Sequence, residues 1–63
     1  MLVNGKEKNY ESFSVSEMIK DLDLNADKIV VELNLKILPK EEYDKTVLKE
    51  DDKIEIVAFV GGG

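Results

Sequence analysis

One stretch of the chain carries apolar residues at helical spacing. They recur at i, i+3, i+4 and i+7, the spacing of one helix face: Val15, Met18, Ile19 and Leu22. Ser14 and Glu17 begin the stretch in the order of a capping box, in which each side chain bonds the other residue's backbone N–H. Phe13 precedes the cap at the spacing of a hydrophobic staple with Met18. We predict a helix of about two to three turns over residues 14–22, which needs a sheet to pack on.

The N-terminal residues have the pattern of a β-hairpin. Asn4-Gly5 follows the apolar pair Leu2-Val3, and both residues tolerate the positive φ that a two-residue hairpin loop requires. We expect residues 6–13 to return as an edge strand anchored by Tyr10 and Phe13. The charged side chains at its start discourage pairing with the edge of another sheet.

Three further strands are predicted after the helix. Residues 29–33 are largely apolar and β-branched, and we expect them to form a strand. Residues 36–38 are a short extended piece that Pro39 ends, and residues 53–60 are a long final strand. Residues 40–48 are expected to be irregular or a single helical turn. Their expected core anchors are Tyr43, Val47 and Leu48. One short helix on a mixed sheet of four to five strands is a two-layer α+β domain.

Composition narrows the functional classes. A chain of 63 residues holds one domain, which buries only about 60% of the surface of the unfolded chain. The net charge of −5 argues against nucleic acids and anionic membranes as partners. The chain has no Cys and no His, so the usual nucleophile, general base and thiolate metal ligands are missing. Without these groups most enzyme classes are disfavoured, and we expect a protein that is not an enzyme. With no leader and no long apolar segment in the sequence, we expect it in the cytoplasm.

The acidic residues around the end of the predicted helix resemble a calcium-binding loop only in part. Asp21, Asp23, Asn25 and Glu32 stand at the ligand spacing. Ala26 occupies the position where such a loop needs Gly, and a β-branched strand follows where a helix should. We therefore predict solvated acids and no metal site.

The final strand has two unlike faces. Ile54, Ile56, Ala58 and Val60 alternate on one face. The other face begins with Lys53 and Glu55 and ends with Val57 and Phe59. An outward Phe beside an outward Val favours a partner-binding patch. The candidate partner-binding residues are Val57, Phe59 and Val60.

The last three residues have no role in stabilising a fold. Gly61, Gly62 and Gly63 lose the most entropy on ordering and add no packing. A tail without Cβ atoms can pass through a narrow channel and approach another protein's backbone closely. We predict one α+β domain over residues 1–60 and a flexible glycine tail over residues 61–63, against the alternative of a frayed end.

Several short segments, spread over nearly every predicted element, form a recognisable series. They are Val3-Asn4-Gly5, Ser14-Val15, Val31-Glu32-Leu33-Asn34, Ile37-Leu38-Pro39-Lys40-Glu41-Glu42-Tyr43, Leu48, Asp52-Lys53-Ile54-Glu55-Ile56-Val57 and Val60-Gly61-Gly62-Gly63. In this order and at this length, they resemble the ThiS family of thiamine-biosynthesis sulfur carriers, which are ubiquitin-like β-grasp proteins.

The resemblance implies a carrier mechanism. An E1-like adenylating enzyme activates the Gly63 carboxylate with ATP and Mg²⁺, and a sulfur donor protein converts the adenylate to a thiocarboxylate. The sulfur then passes to a thiazole synthase. Gly61 and Gly62 thread into the partner, and the carrier itself binds no cofactor. Two alternatives stay open: a molybdopterin-type sulfur carrier, although that family tends to be longer, and an unmodified β-grasp interaction module.

The chain departs from the family pattern at its turns. The family usually has Asn-Gly where this chain has Asn34-Leu35. Because Leu disfavours positive φ, we predict a different turn type there. The family also usually has Gly-Asp at Asp51-Asp52 and Arg at Lys40, where Lys keeps the charge but loses the planar fork.

Overall fold

The computed structural model describes residues 1–59, which form a mixed sheet with one α-helix on one of its faces. The sheet has the strand order β2-β1-β5-β3-β4. β1 runs parallel to β5, and the other neighbouring pairs are antiparallel. The elements are β1 (Leu2–Val3), β2 (Lys6–Glu7), α1 (Val15–Asp21), β3 (Ile29–Leu33), β4 (Lys36–Leu38) and β5 (Lys53–Ala58), with short 3₁₀ turns at Ala26–Lys28 and Lys40–Glu42.

The predicted capping box starts α1. The Ser14 hydroxyl accepts a 3.0 Å bond from the Glu17 backbone N–H, and the Glu17 carboxylate accepts a 2.8 Å bond from the Ser14 N–H. The helix ends at Asp21, and Leu22 is its C-cap. The apolar stripe faces the sheet, because Val15 and the other stripe residues within α1 are buried. The helix prediction is confirmed, with the helix proper one residue shorter at each end.

The core lies between α1 and the inner face of the sheet. Its buried members are Val3, Tyr10, Val15, Met18, Ile19, Ile29, Val31, Tyr43, Leu48 and Ile54. Val47 was predicted to be a core anchor, and that prediction is wrong, because its side chain is exposed. Val47 bridges Ser14 in extended conformation, where neighbouring side chains point to opposite sides. Leu48 takes the inward position, so Val47 faces solvent.

A hydrogen bond between Tyr10 and Asp21 joins the loop that precedes α1 to the end of that helix. The Tyr10 hydroxyl donates a 2.7 Å hydrogen bond to the Asp21 carboxylate. This bond, together with burial and the carboxylate's charge, raises the pKa of Tyr10 above its usual value of 10.0. The Tyr10 ring also packs edge-on against Phe13, with ring centroids 5.2 Å apart.

The second strand is much shorter than predicted. The hairpin turn and the edge position of β2 are confirmed, but the strand covers Lys6–Glu7 and does not extend to residue 13. The Lys8 N–H still bonds the Met1 carbonyl at 3.0 Å. Beyond it the chain turns so that Tyr10 enters the core, which a continued edge strand would not allow.

The turn between β3 and β4 also differs from its prediction. Asn34 has φ 53° and Leu35 has φ 71°, so both residues adopt the positive φ that was expected to be avoided. Leu33 pairs with Lys36, and a two-residue loop between directly paired residues requires positive φ at both positions. The Asn34 side chain joins the turn to β5 through two hydrogen bonds. Its oxygen accepts a 2.9 Å bond from the Lys53 N–H, and its nitrogen donates a 3.0 Å bond to the Asp52 carboxylate.

Candidate functional site

The two faces of β5 are as unlike as the sequence predicts. On the inner face Ile54 is fully buried and Ile56 packs on the core. On the outer face Val57 is 57% exposed and Phe59 is 48% exposed. Although Phe59 follows the end of β5, its N–H bonds the Lys28 carbonyl at 3.0 Å. The sheet ladder therefore holds the backbone of Phe59 in place.

The strand register shows which residues share the outer face with Val57. Residues directly opposite each other in a sheet project from the same side. Val30 lies opposite Val57, while Glu32 lies opposite both Glu55 and Ile37. The outer face therefore carries an apolar row of Val30 and Val57 next to a row that contains two carboxylates.

Sequence reasoning missed two residues of this face, Val30 and Ile37. Ile37 is 69% exposed, and the run Lys36-Ile37-Leu38 does not alternate between polar and apolar residues, so it does not show which face Ile37 occupies. The missing information was the order of the strands, which places β3 between β5 and β4. Leu35, at the tip of the adjoining hairpin, is exposed as well.

The outer face is the sheet surface away from α1. The helix and the buried core occupy the other surface, while Ile37, Val57 and Phe59 remain open to solvent. Exposed apolar side chains on one sheet face favour a protein interaction site there, so this face is the candidate docking surface. The remaining candidate residues, Val60, Gly61, Gly62 and Gly63, lie outside the described residues 1–59.

The acidic residues near the end of α1 are spread over a helix, a loop and a strand. Asp21 ends α1 and Glu32 lies in β3, so the partial calcium-loop pattern is not followed by a second helix. No group of three or more potential metal ligands occurs within residues 1–59. The same residues contain no helix with the length and apolar character to cross a membrane.

A five-stranded mixed sheet with one helix across its inner face is the ubiquitin-like β-grasp fold, as predicted. A solved structure confirms the likeness over nearly the whole chain. The crystal structure of the thiamine biosynthesis protein ThiS from Geobacter metallireducens matches with a TM-score of 0.78 and 36% identity, covering 98% of this chain and 96% of that one.

The sequence model of the ThiS family matches residues 1–63, and the chain belongs to this family. Its members are small sulfur carriers of thiamine biosynthesis and not catalysts. The sulfur carrier protein ThiS of Bacillus subtilis is 35% identical over 63 residues, which cover 97% of this chain and 96% of that protein.

A second kind of relative is much longer than this chain. A thiazole synthase of Paramagnetospirillum magneticum is 41% identical over 64 residues. The match takes in 100% of this chain but only 20% of that protein. This chain therefore corresponds to about one fifth of that relative's length.

Proposed function

We propose that the chain carries sulfur as a C-terminal thiocarboxylate on Gly63. The carboxylate attacks the α-phosphorus of ATP on an E1-like adenylating enzyme, which forms an acyl-adenylate and releases pyrophosphate. Hydrosulfide supplied by a sulfur donor protein then displaces AMP and leaves the thiocarboxylate and a proton. The observation that carries the proposal is membership of a sulfur-carrier family over residues 1–63, including the three terminal glycines.

The chemistry assigned to the chain is limited to its carboxylate. The sequence has no Cys and no His, so no side-chain thiol is available to carry the sulfur. ATP and Mg²⁺ belong to the adenylating enzyme, and the carrier binds no cofactor of its own. Gly61 and Gly62 allow the tail to extend into the enzyme without a Cβ clash. Because ATP is required, we place the reaction in the cytoplasm.

The outer face is the surface by which the carrier docks on its partner enzyme. Val57 and Phe59 are exposed beside the point where the tail begins, so an enzyme that receives Gly63 would cover them. We assign the contact with the adenylating enzyme to these two residues and Val60. Apolar side chains that become buried at the centre of an interface dominate its affinity.

A thiazole synthase is the proposed acceptor of the sulfur. Support comes from the Paramagnetospirillum magneticum thiazole synthase, one fifth of which is similar to this whole chain. A carrier-like segment within a synthase chain would hold the sulfur carrier and the sulfur acceptor in one molecule. Two separate chains must instead meet by docking, which is a role for the exposed outer face.

The intact mass of the protein tests the carrier proposal. The chain is incubated with an adenylating enzyme that is active on a control carrier, ATP, Mg²⁺ and a sulfide source. We expect a gain equal to sulfur replacing oxygen, mapped to the C-terminal peptide. Deleting Gly63 should abolish the gain and leave the unfolding midpoint unchanged, because glycine has no side chain to contribute to a core. Loading of the deletion variant would contradict the proposal.

The unmodified interaction module remains the alternative from another class. A module would show no mass gain and would depend only on its docking face. Phe59→Glu should weaken docking in both cases without unfolding the domain, since the ring is already half in solvent. The molybdopterin-type carrier is distinguished by the pathway restored in cells that lack either carrier.

A further inference from the structure

Two carboxylates face each other across the centre of the outer face. Glu32 of β3 and Glu55 of β5 are directly paired in the antiparallel ladder, and both are half-buried. Directly opposed residues have their Cβ atoms about 5 Å apart, and like charges in this arrangement destabilise a sheet. The fold thus retains an unfavourable pair where neutral side chains would be more stable.

No cation within residues 1–59 neutralises the pair. Neither carboxylate has an ammonium nitrogen within 4.0 Å among these residues, where the ion pairs are Met1–Glu7 and Lys40–Asp27. Lys53 shares the outer face but sits two positions before Glu55 along β5. The charge of the pair is therefore available to a partner.

Glu32 and Glu55 lie among the exposed apolar residues of the outer face. The Val30–Val57 row is adjacent on one side, towards the start of the tail. Ile37 flanks Glu32 on the other side and is largely exposed. A partner that covers the apolar row would also cover the two carboxylates. Burying both without a counter-charge would cost far more than it gains.

We propose that Glu32 and Glu55 together receive an arginine side chain of the adenylating enzyme, which sets the orientation in which the outer face docks. This inference rests on the proposed function and names the chemistry of its partner. A guanidinium has five N–H donors in a planar fork, enough to bond two carboxylates at once. Such charge-assisted bonds are stronger than bonds between neutral groups. The net charge of −5 also steers the carrier to a basic surface.

The test compares affinity and stability in the same variants. Glu32→Gln, Glu55→Gln and the double variant keep the side-chain shape and remove the charge. Glu11→Gln is the matched control, since Glu11 is exposed in the loop before α1. Binding to the adenylating enzyme is titrated without ATP at low and moderate salt, and the unfolding midpoint is measured on the free protein.

We expect the charge-removing variants to bind the enzyme more weakly and to unfold at a higher temperature. The double variant should bind about tenfold more weakly and with less salt dependence, while its unfolding midpoint rises by about 2 °C. The control should change neither. Unchanged affinity of the double variant, or a loss of stability that accounts for its weaker binding, would overturn the inference.

The two proposals fail in distinguishable ways. If the unaltered chain neither binds the enzyme nor gains sulfur, the carrier proposal fails and the inference falls with it. If the unaltered chain binds and is loaded, and the double variant binds equally well, only the assignment of the carboxylate pair is wrong.

Discussion

The inner and outer faces of the sheet are built from alternate residues of the same strands, yet they meet opposite demands. On the inner face Ile54 and Val31 are fully buried against the core. On the outer face the same two strands present the opposed carboxylates Glu32 and Glu55 and the exposed Val57. The inner residues are explained by folding alone. The outer residues contribute little to folding or oppose it, which is why the proposed docking surface is placed on this face.

Truncation at neighbouring positions of β5 is the strongest way to test this difference. Ile54→Ala should lower the free energy of unfolding by about 3 kcal/mol, since it leaves a cavity in a fully packed core. That is a large part of the roughly 3–9 kcal/mol expected for a chain of this size. Val57→Ala, the matched outer-face variant, should change stability by no more than about 0.5 kcal/mol. Urea titration of both variants measures the contrast, and equal losses would contradict the assignment of the faces.

The stability of the core also depends on one polar contact, the hydrogen bond that Tyr10 donates to Asp21. Tyr10→Phe keeps the ring and removes the hydroxyl, so we expect a loss of about 1 kcal/mol. Because the folded pKa of Tyr10 is raised above the unfolded value of 10.0, its contribution is fully present below pH 10 and is lost as the pH rises through the folded pKa.

Unfolding curves for Tyr10→Phe and the unaltered chain, collected from pH 7 to alkaline pH, check this prediction. The stability difference should be constant below pH 10 and should shrink above it. Tyr43, whose phenol pKa is raised by burial, is present in both proteins and cancels in the comparison. A difference that stays constant through the alkaline range would show that the hydroxyl contributes nothing through its protonation.

The sequence was most informative where local chemistry sets the structure. The capping box of Ser14 and Glu17 gave the start of α1, and Pro39 marked the end of β4. The extent of β2 could not be obtained in this way, because it depends on Tyr10 reaching a core built by distant residues. The exposed apolar residues of the outer face could be predicted only in part, for a related reason. The alternation in β5 identifies Val57, but its neighbour Val30 follows only from strand order.

Strand order is the least local property of this fold. β1 and β5 pair in parallel although they come from opposite ends of the sequence, and no short pattern encodes that contact. The pairing of Glu32 with Glu55 follows from the same long-range arrangement. Those two residues therefore appear as ordinary solvated acids until the sheet is assembled.

The hairpin tip at the edge of the outer face gives the smallest and most specific prediction. Leu35 combines a φ of 71° with a side chain that is 79% exposed, so it is strained and gains little from burial. Leu35→Gly should remove a strain of about 1–2 kcal/mol and lose about 0.5–1 kcal/mol to the greater freedom of the unfolded chain. We expect a net gain of about 0.5 kcal/mol in urea titrations. Leu35→Ala, which keeps the Cβ and therefore the strain, should show no gain. If both variants are stabilised equally, exposure of the leucine side chain and not its backbone conformation is the unfavourable feature.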